Sequence, residues 1–265
     1  MSKGTLDVIE LARRYLSQTF ELEGQGVALE NLTRDAALEV LRAVPAGSTD
    51  SSPGNRETAF AGAKADRSPG VSNVEILEAK DFDALAKLVA RCTRCPLHEE
   101  RTRSVFGEGA IDARVVCVGE APGAKEDETG RPFVGRAGQL LDQLLLSIGL
   151  PRETVYICNV LKSRPPRNRD PLPEEVEACS PYLIRQLSII RPEVILAFGA
   201  FAARTLLQTK LALGHLRGRV HEYGGYPVVV TYHPAALLRN PTWVRPTWED
   251  LQIVRSMLDG DKLRG

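Results

Sequence analysis

The sequence predicts an α/β protein: a three-layer α/β/α sandwich around a central, mostly parallel, four-stranded sheet. Three observations carry that expectation. The runs "ARVVCVGEA", "TVYICNVL", "EVILAFG" and "YPVVVTYHP" are apolar at successive positions, as strands covered on both faces are. Between and after them lie the helical stretches "AGQLLDQLLLSIGL", "PEEVEACSPYLIRQLSIIR", "AFAARTLLQ" and "WEDLQIVRSML", which can serve as right-handed crossovers and outer layers. In such sheets ligands bind beyond the C-terminal ends of the strands. The residues there are Glu120–Gly123, Asn159–Ser163, Gly199 and His233–Pro234, and none of these segments is plain loop filler.

Ahead of this pattern the chain changes character. Residues 1–44 read as a short helical segment, with Leu6, Ile9, Leu11 (or Tyr15) and Leu16 near helical spacing and a weaker repeat at Leu32, Ala36, Leu38 and Leu41. Two helices of this size are too small to fold alone, and a mobile tail is the plainer reading. Residues 45–73 are rich in Gly, Ser, Pro and Ala and read as a disordered linker. The α/β domain is expected over 74–265.

Composition bounds the rest. Lys plus Arg (34) balance Asp plus Glu (34), so net charge argues for no polyanionic partner and excludes none. No apolar run approaches the roughly 20 residues a membrane span needs. The N-terminal stretch has acidic residues interleaved and no apolar core of a signal peptide. The expected compartment is therefore the reducing cytoplasm, where five cysteines are thiols or metal ligands before they are disulfides.

Two motifs carry chemistry. In "VGEAPGAKEDETGRPFVG", Gly119 and Gly123 permit tight turns and Pro122 stiffens the chain between them, a loop able to offer backbone amides to an anion. It lacks the phosphate-loop Lys-Ser/Thr pair, and an ordinary strand-to-helix turn is an equal reading. In "YHPAALLRNP" a strand delivers His233 into a proline-fixed turn. A lone histidine is more often structural; one on the same sheet edge as Glu120 and Asn159 is a catalytic candidate.

From about residue 85 onward the chain resembles the family 4 uracil-DNA glycosylases, the iron–sulfur-containing branch of the uracil glycosylase superfamily. The resemblance rests on "CTRCPL", "RTRSVFGEG", "GEAPG", "GRPFVGRAGQLL", "NVLKSRPP" and "HPAALLRNP", in the family's order. It implies a DNA repair hydrolase that flips uracil out of DNA, cleaves its N-glycosidic bond and leaves an abasic site. The implied partner is uracil-containing DNA, handled by a monomer beside the chromosome.

The resemblance also implies site residues. Phe133 matches the aromatic that stacks on the flipped base, with a core phenylalanine as the plain alternative. Asn159 matches the uracil reader; an amide accepts from N3–H and donates to O4, a pattern that cytosine reverses. His233 would stabilise the departing uracil anion near O2. Glu120 occupies a position associated with catalysis, ordering the attacking water or stabilising the oxocarbenium. Ala121 stands where the best-known branch has an aspartate, so which group is the general base stays open. Glu126 matches an acid near uracil C5, or is a helix-entry acid; Gly123 completes the loop. Lys162, Arg164, Arg167 and Arg169 would contact phosphates. Leu237, Leu238 or Arg239 would fill the gap left by the extruded base.

The family holds a 4Fe–4S cluster through four cysteines. Cys92, Cys95 and Cys179 match three of them, and Ser163 stands where the family has the other. Cys158 lies five residues upstream in a strand, roughly 16 Å away along an extended chain and of opposite parity, so it is rejected as a substitute. Ser163 ligates through oxygen, or three cysteines hold an incomplete cluster, or the cluster is absent and the trio binds zinc. Cys117 reads as core.

Three rival functions stay open. One is a catalytically weakened DNA-binding paralogue that has lost its complete iron–sulfur site. A second is a glycosylase trapped covalently on DNA through an extra histidine, which residues 162–170 do not supply. The third is a small-molecule nucleotide hydrolase or transferase that uses the glycine loop for phosphate.

Overall fold

A computed structural model of the chain describes residues 71–260. The two N-terminal helices expected over 1–44 and the linker as far as residue 70 lie outside the described residues. The linker's last residues do not read as linker. Val71 is 3% exposed, in a small core with Ile76, Leu85, Val89 and Tyr182, and Ser72 caps the helix that follows.

Helix α1 (Asn73–Leu77) starts at a capping box in which Ser72 and Glu75 satisfy each other's backbone amides. Helix α2 (Phe82–Ala90) is capped by Asp81, and a short α3 (Leu97–Glu100) follows the Cys92–Cys95 pair. Next come strands β1 (Glu108–Gly109) and β2 (Val115–Gly119), then helices α4 (Ala124–Thr129) and α5 (Arg136–Ser147). Strand β3 (Tyr156–Asn159) leads to the long helix α6 (Pro173–Ile190), which has proline at its first position, where a missing N–H costs nothing. Strand β4 (Val194–Phe198) and α7 (Gly199–Leu207) precede α8 (Leu213–Leu216), β5 (Val220–Tyr223), β6 (Tyr226–Thr231), α9 (Pro234–Leu237) and α10 (Val244–Gly260).

Among the described residues the sheet has six strands in the order β1-β3-β2-β4-β6-β5. Its four central strands are parallel and are the four apolar runs of the sequence. The expected strand count was short by the two edges, β1 and β5, which pair antiparallel. Alternate residues Val116, Val118, Ile195, Ala197, Val228 and Val230 share a core with Leu183 and Leu187 of α6 and Ala202 and Ala203 of α7. Helix α10 packs on β4, β6 and α5.

This order places a functional edge. From β2 the chain moves outward to β3, then crosses back past β2 to β4 and on to β6. The order reverses between β2 and β4, the position at which open α/β sheets present their ligand crevice.

Candidate active site

The described structure has a cavity of about 440 Å³ at that edge, within the range for a small-molecule pocket. Glu120 reaches it from the end of β2, Ala121, Gly123 and Glu126 from the turn into α4, Phe133 from the loop before α5, and His233 from the end of β6. Arg169 and Arg239 stand in its wall. Glu120 and Phe133, from one motif, are thus brought together with His233 from the far end of the domain.

Asn159 is not in the cavity wall but directly beside it. It ends β3 in register with Gly119, and a side chain at Gly119 would collide with both its Oδ1 and the Phe133 ring. Glycine is needed there to let the amide and the aromatic meet. Asn159 is 2% exposed, and its Oδ1 has no hydrogen-bond partner among the described residues. A buried acceptor left alone costs about 1–3 kcal/mol. An N–H from a ligand would recover that energy.

The aromatic and the histidine are held as a unit. The Phe133 ring stacks on the His233 ring at 5.5 Å and 28°, with Phe198 behind it at 6.2 Å. His233 caps α9, its Nδ1 accepting from the Ala235 N–H at 3.1 Å. Burial, then the charge of Arg239, lowers its pKa to about 4. The ring is therefore neutral at physiological pH, and with Nδ1 accepting, the proton sits on Nε2. Glu120 is shifted the opposite way. Burial, then the negative charge of Asp170, raises its pKa to about 7. Glu126 accepts from the amides of Val134 and Gly135, both at 2.9 Å, so this acid clasps the Phe133 loop while it lines the cavity.

Two residues expected at the DNA surface are not there. Lys162 is 2% exposed, its Nζ donating to the Asn159 carbonyl and to Gln186 Oε1, each at 2.7 Å. It braces the end of β3 and cannot reach a phosphate. Leu237 is 0% exposed because α9 packs it toward α5, so it cannot be a wedge. Leu238 is partly buried and Arg239 is exposed. Arg167 is exposed, Arg164 donates to Asn168 Oδ1 at 2.8 Å, and Arg169 forms a two-pronged ion pair with Glu175 at 2.6 and 2.9 Å. Sequence reading missed Arg152, which bonds the main chain of the Phe133 loop. Nothing in "PRET" signals it, because its partners lie 10 to 44 residues away.

The cysteine site is assembled behind this edge. The Cys95 and Cys179 thiols are free and share a hydrogen bond, which lowers the pKa of Cys95 to about 7, while it and burial raise that of Cys179. Cys92 acts electrostatically on Cys179. Ser163 is buried, and its Oγ accepts from Arg101 Nη1 at 3.0 Å. Cys117 and Cys158 lie buried inside β2 and β3. Among the described residues, no three His, Cys, Asp or Glu side chains are placed to hold a single metal ion. The surroundings do suit an anionic group. Lys162 is wholly buried, its two acceptors are neutral, and burial lowers its pKa while Cys158 and Cys179 oppose the shift. A buried ammonium without a bonded carboxylate is costly unless negative charge stands near it.

Comparison with known proteins agrees with this layout. The family model described as the uracil DNA glycosylase superfamily matches residues 106–252. The type-4 uracil-DNA glycosylase of Thermotoga maritima is 48% identical over 181 residues, covering 67% of this chain and 94% of the relative. That of Archaeoglobus fulgidus is 47% identical over 170 residues, 61% of this chain and 85% of the relative. A type-5 uracil-DNA glycosylase of Pyrobaculum aerophilum is less similar, 32% identical over 191 residues, 59% of this chain and 83% of the relative. With a family match over more than half its length and type-4 relatives covered over 85% and 94% of their own length, this chain belongs to the uracil DNA glycosylase superfamily, on its type-4 branch.

Proposed function

We propose that the protein is a uracil-DNA glycosylase of base excision repair, a hydrolase that extrudes uracil from DNA, cleaves its N-glycosidic bond and leaves an abasic site. The observation that carries this reading is the buried, unpartnered Oδ1 of Asn159 beside an aromatic ring and a cavity. The amide accepts N3–H and donates to O4, while Phe133 stacks on the ring. As the bond breaks, negative charge grows on uracil, and the Nε2–H of neutral His233 stabilises it. Glu120 orders the attacking water or steadies the positive sugar, next to the small Ala121 and Gly123. Arg164, Arg167, Arg169 and Arg239 attract phosphates, and Leu238 or Arg239 fills the vacated stack. We assign the action to a monomer in the compartment of the chromosome; no helix among the described residues is long and apolar enough to cross a membrane.

The deciding assay is single-turnover excision from a uracil-containing oligonucleotide. Release of uracil supports the reading; absence of release with retained DNA binding would leave the weakened paralogue. The pH profile adds a sharper test. Glu120, with a pKa of about 7, gains its charge as pH rises through neutrality, so the rate should climb across that interval. Glu120→Gln should lower the rate about 10²-fold and flatten the climb. A climb that survives in the variant assigns the titration to another group.

Cys92, Cys95 and Cys179, with Ser163 at the fourth position, would hold an iron–sulfur cluster that organises the loops near DNA and takes no part in bond cleavage. Arg101, which donates to Ser163, and the buried Lys162, whose main chain bonds Cys179, stand beside these positions and support the reading. Restoring the thiolate, Ser163→Cys, should slow iron loss during aerobic handling by at least about tenfold and leave the excision rate nearly unchanged. Iron and sulfide analysis with visible absorbance checks this, and identical iron retention in the two proteins would refute the ligand role of that position.

A further inference from the structure

We propose that Arg152 is the positioning residue for the stacking ring of Phe133, acting through the main chain of residues 132–133. The inference rests on the stacking role of Phe133 in the proposed function. Phe133 adopts φ 51°, in the left-handed region that a bulky residue enters only when its surroundings hold it there. The holding groups are visible. Arg152 Nη2 donates to the Pro132 carbonyl at 2.5 Å and Nη1 to the Phe133 carbonyl at 3.2 Å.

The guanidinium is itself aimed from two sides. Glu108, on edge strand β1, accepts from Nε at 2.8 Å, and Asp142, on α5, accepts from Nη1 at 2.8 Å. A planar fork fixed by two carboxylates presents its remaining donors in one direction only. On the other side of the loop, a side chain at Gly138 would collide with the Phe133 carbonyl, so α5 and Arg152 grip this carbonyl between them. Glu126 holds the next two amides. The ring's position against His233 and Gly119 is thus set by a clamp on its backbone rather than by packing alone. This gives Glu108 and Arg152, neither of which lines the cavity, a part in base recognition.

A structural ion-pair network would stabilise the fold without acting through Phe133, and a double-mutant cycle separates the two. Arg152→Gln should lower kcat/KM for a uracil oligonucleotide about tenfold, mainly through KM, because a displaced platform weakens the flipped base in ground and transition states alike. In a Phe133→Leu background the same substitution should change kcat/KM less than about twofold. Arg152→Lys, which cannot reproduce the fork, should resemble Arg152→Gln. Should Arg152→Gln fail to fold, Asp142→Asn removes one of the aiming carboxylates and should show the same non-additivity at smaller amplitude. Independent, multiplying losses at Arg152 and Phe133, or a change in melting temperature alone, would overturn the inference. If Phe133→Leu leaves excision unchanged, the stacking role itself fails and the inference falls with it.

Discussion

Asn159→Asp slows uracil excision by about 10⁴-fold and brings cytosine excision up to a measurable rate. The expectation follows from donors and acceptors in a site that water cannot repair. The wild-type amide has one acceptor, Oδ1, unpartnered among the described residues, and a donor beside it. Uracil satisfies both. A carboxylate still accepts from N3–H but turns an acceptor toward O4, and two acceptors facing each other in a buried site have no solvent to separate them. Cytosine meets the wild-type amide with two mismatches; it now donates N4–H to the carboxylate and keeps only the mismatch at N3. Single-turnover rates on matched uracil and cytosine oligonucleotides measure both arms. Because Asn159 is buried, the variant's melting temperature must be measured alongside, and rates are compared only below its transition. Uracil excision near the wild-type rate in the folded variant would remove Asn159 from base recognition, and with it the main support for the proposed function.

The parts of this site that the sequence made legible are those that periodicity or a rigid motif controls. The four parallel strands announce themselves because burial on both faces requires continuous apolar runs, and the sheet rule then points to Glu120, Asn159 and His233. The edges do not announce themselves. β1 has two residues, and β5 is "VHEY", half polar; each is a strand only because a neighbour offers it hydrogen bonds. Side-chain direction in irregular segments was equally hidden. "KSRPPRNR" reads as a basic surface loop, yet Lys162 turns inward to the Asn159 carbonyl while Arg167 stays outside. In "AALLRNP" only two positions separate the buried Leu237, the last residue of α9, from the exposed Arg239. Arg152 was invisible for a third reason: its four partners come from three separate segments, and no local window contains them.

His233→Ala lowers the single-turnover rate by about 10²–10³-fold while KM stays nearly constant, the signature of an interaction that gains strength as charge develops. The protonation state decides how the residue works. With a pKa near 4, the imidazole is neutral through the physiological range, and no acid limb from this group should appear above about pH 5. A neutral donor also avoids the cost of an extra cation in a buried site where Arg239 already contributes positive charge. The amide of Ala235 keeps Nδ1 as the acceptor and so keeps the proton on Nε2, which spares reorganisation when the anion forms. His233→Gln retains a donor without the imidazole and should recover part of the loss. In both variants the climb in rate through neutrality should persist, because it belongs to Glu120. Two outcomes would reject this assignment: a wild-type acid limb near pH 6.5 that vanishes with His233, which would make the imidazolium the active form, or a His233→Ala rate within tenfold of wild type, which would leave the departing anion to other donors.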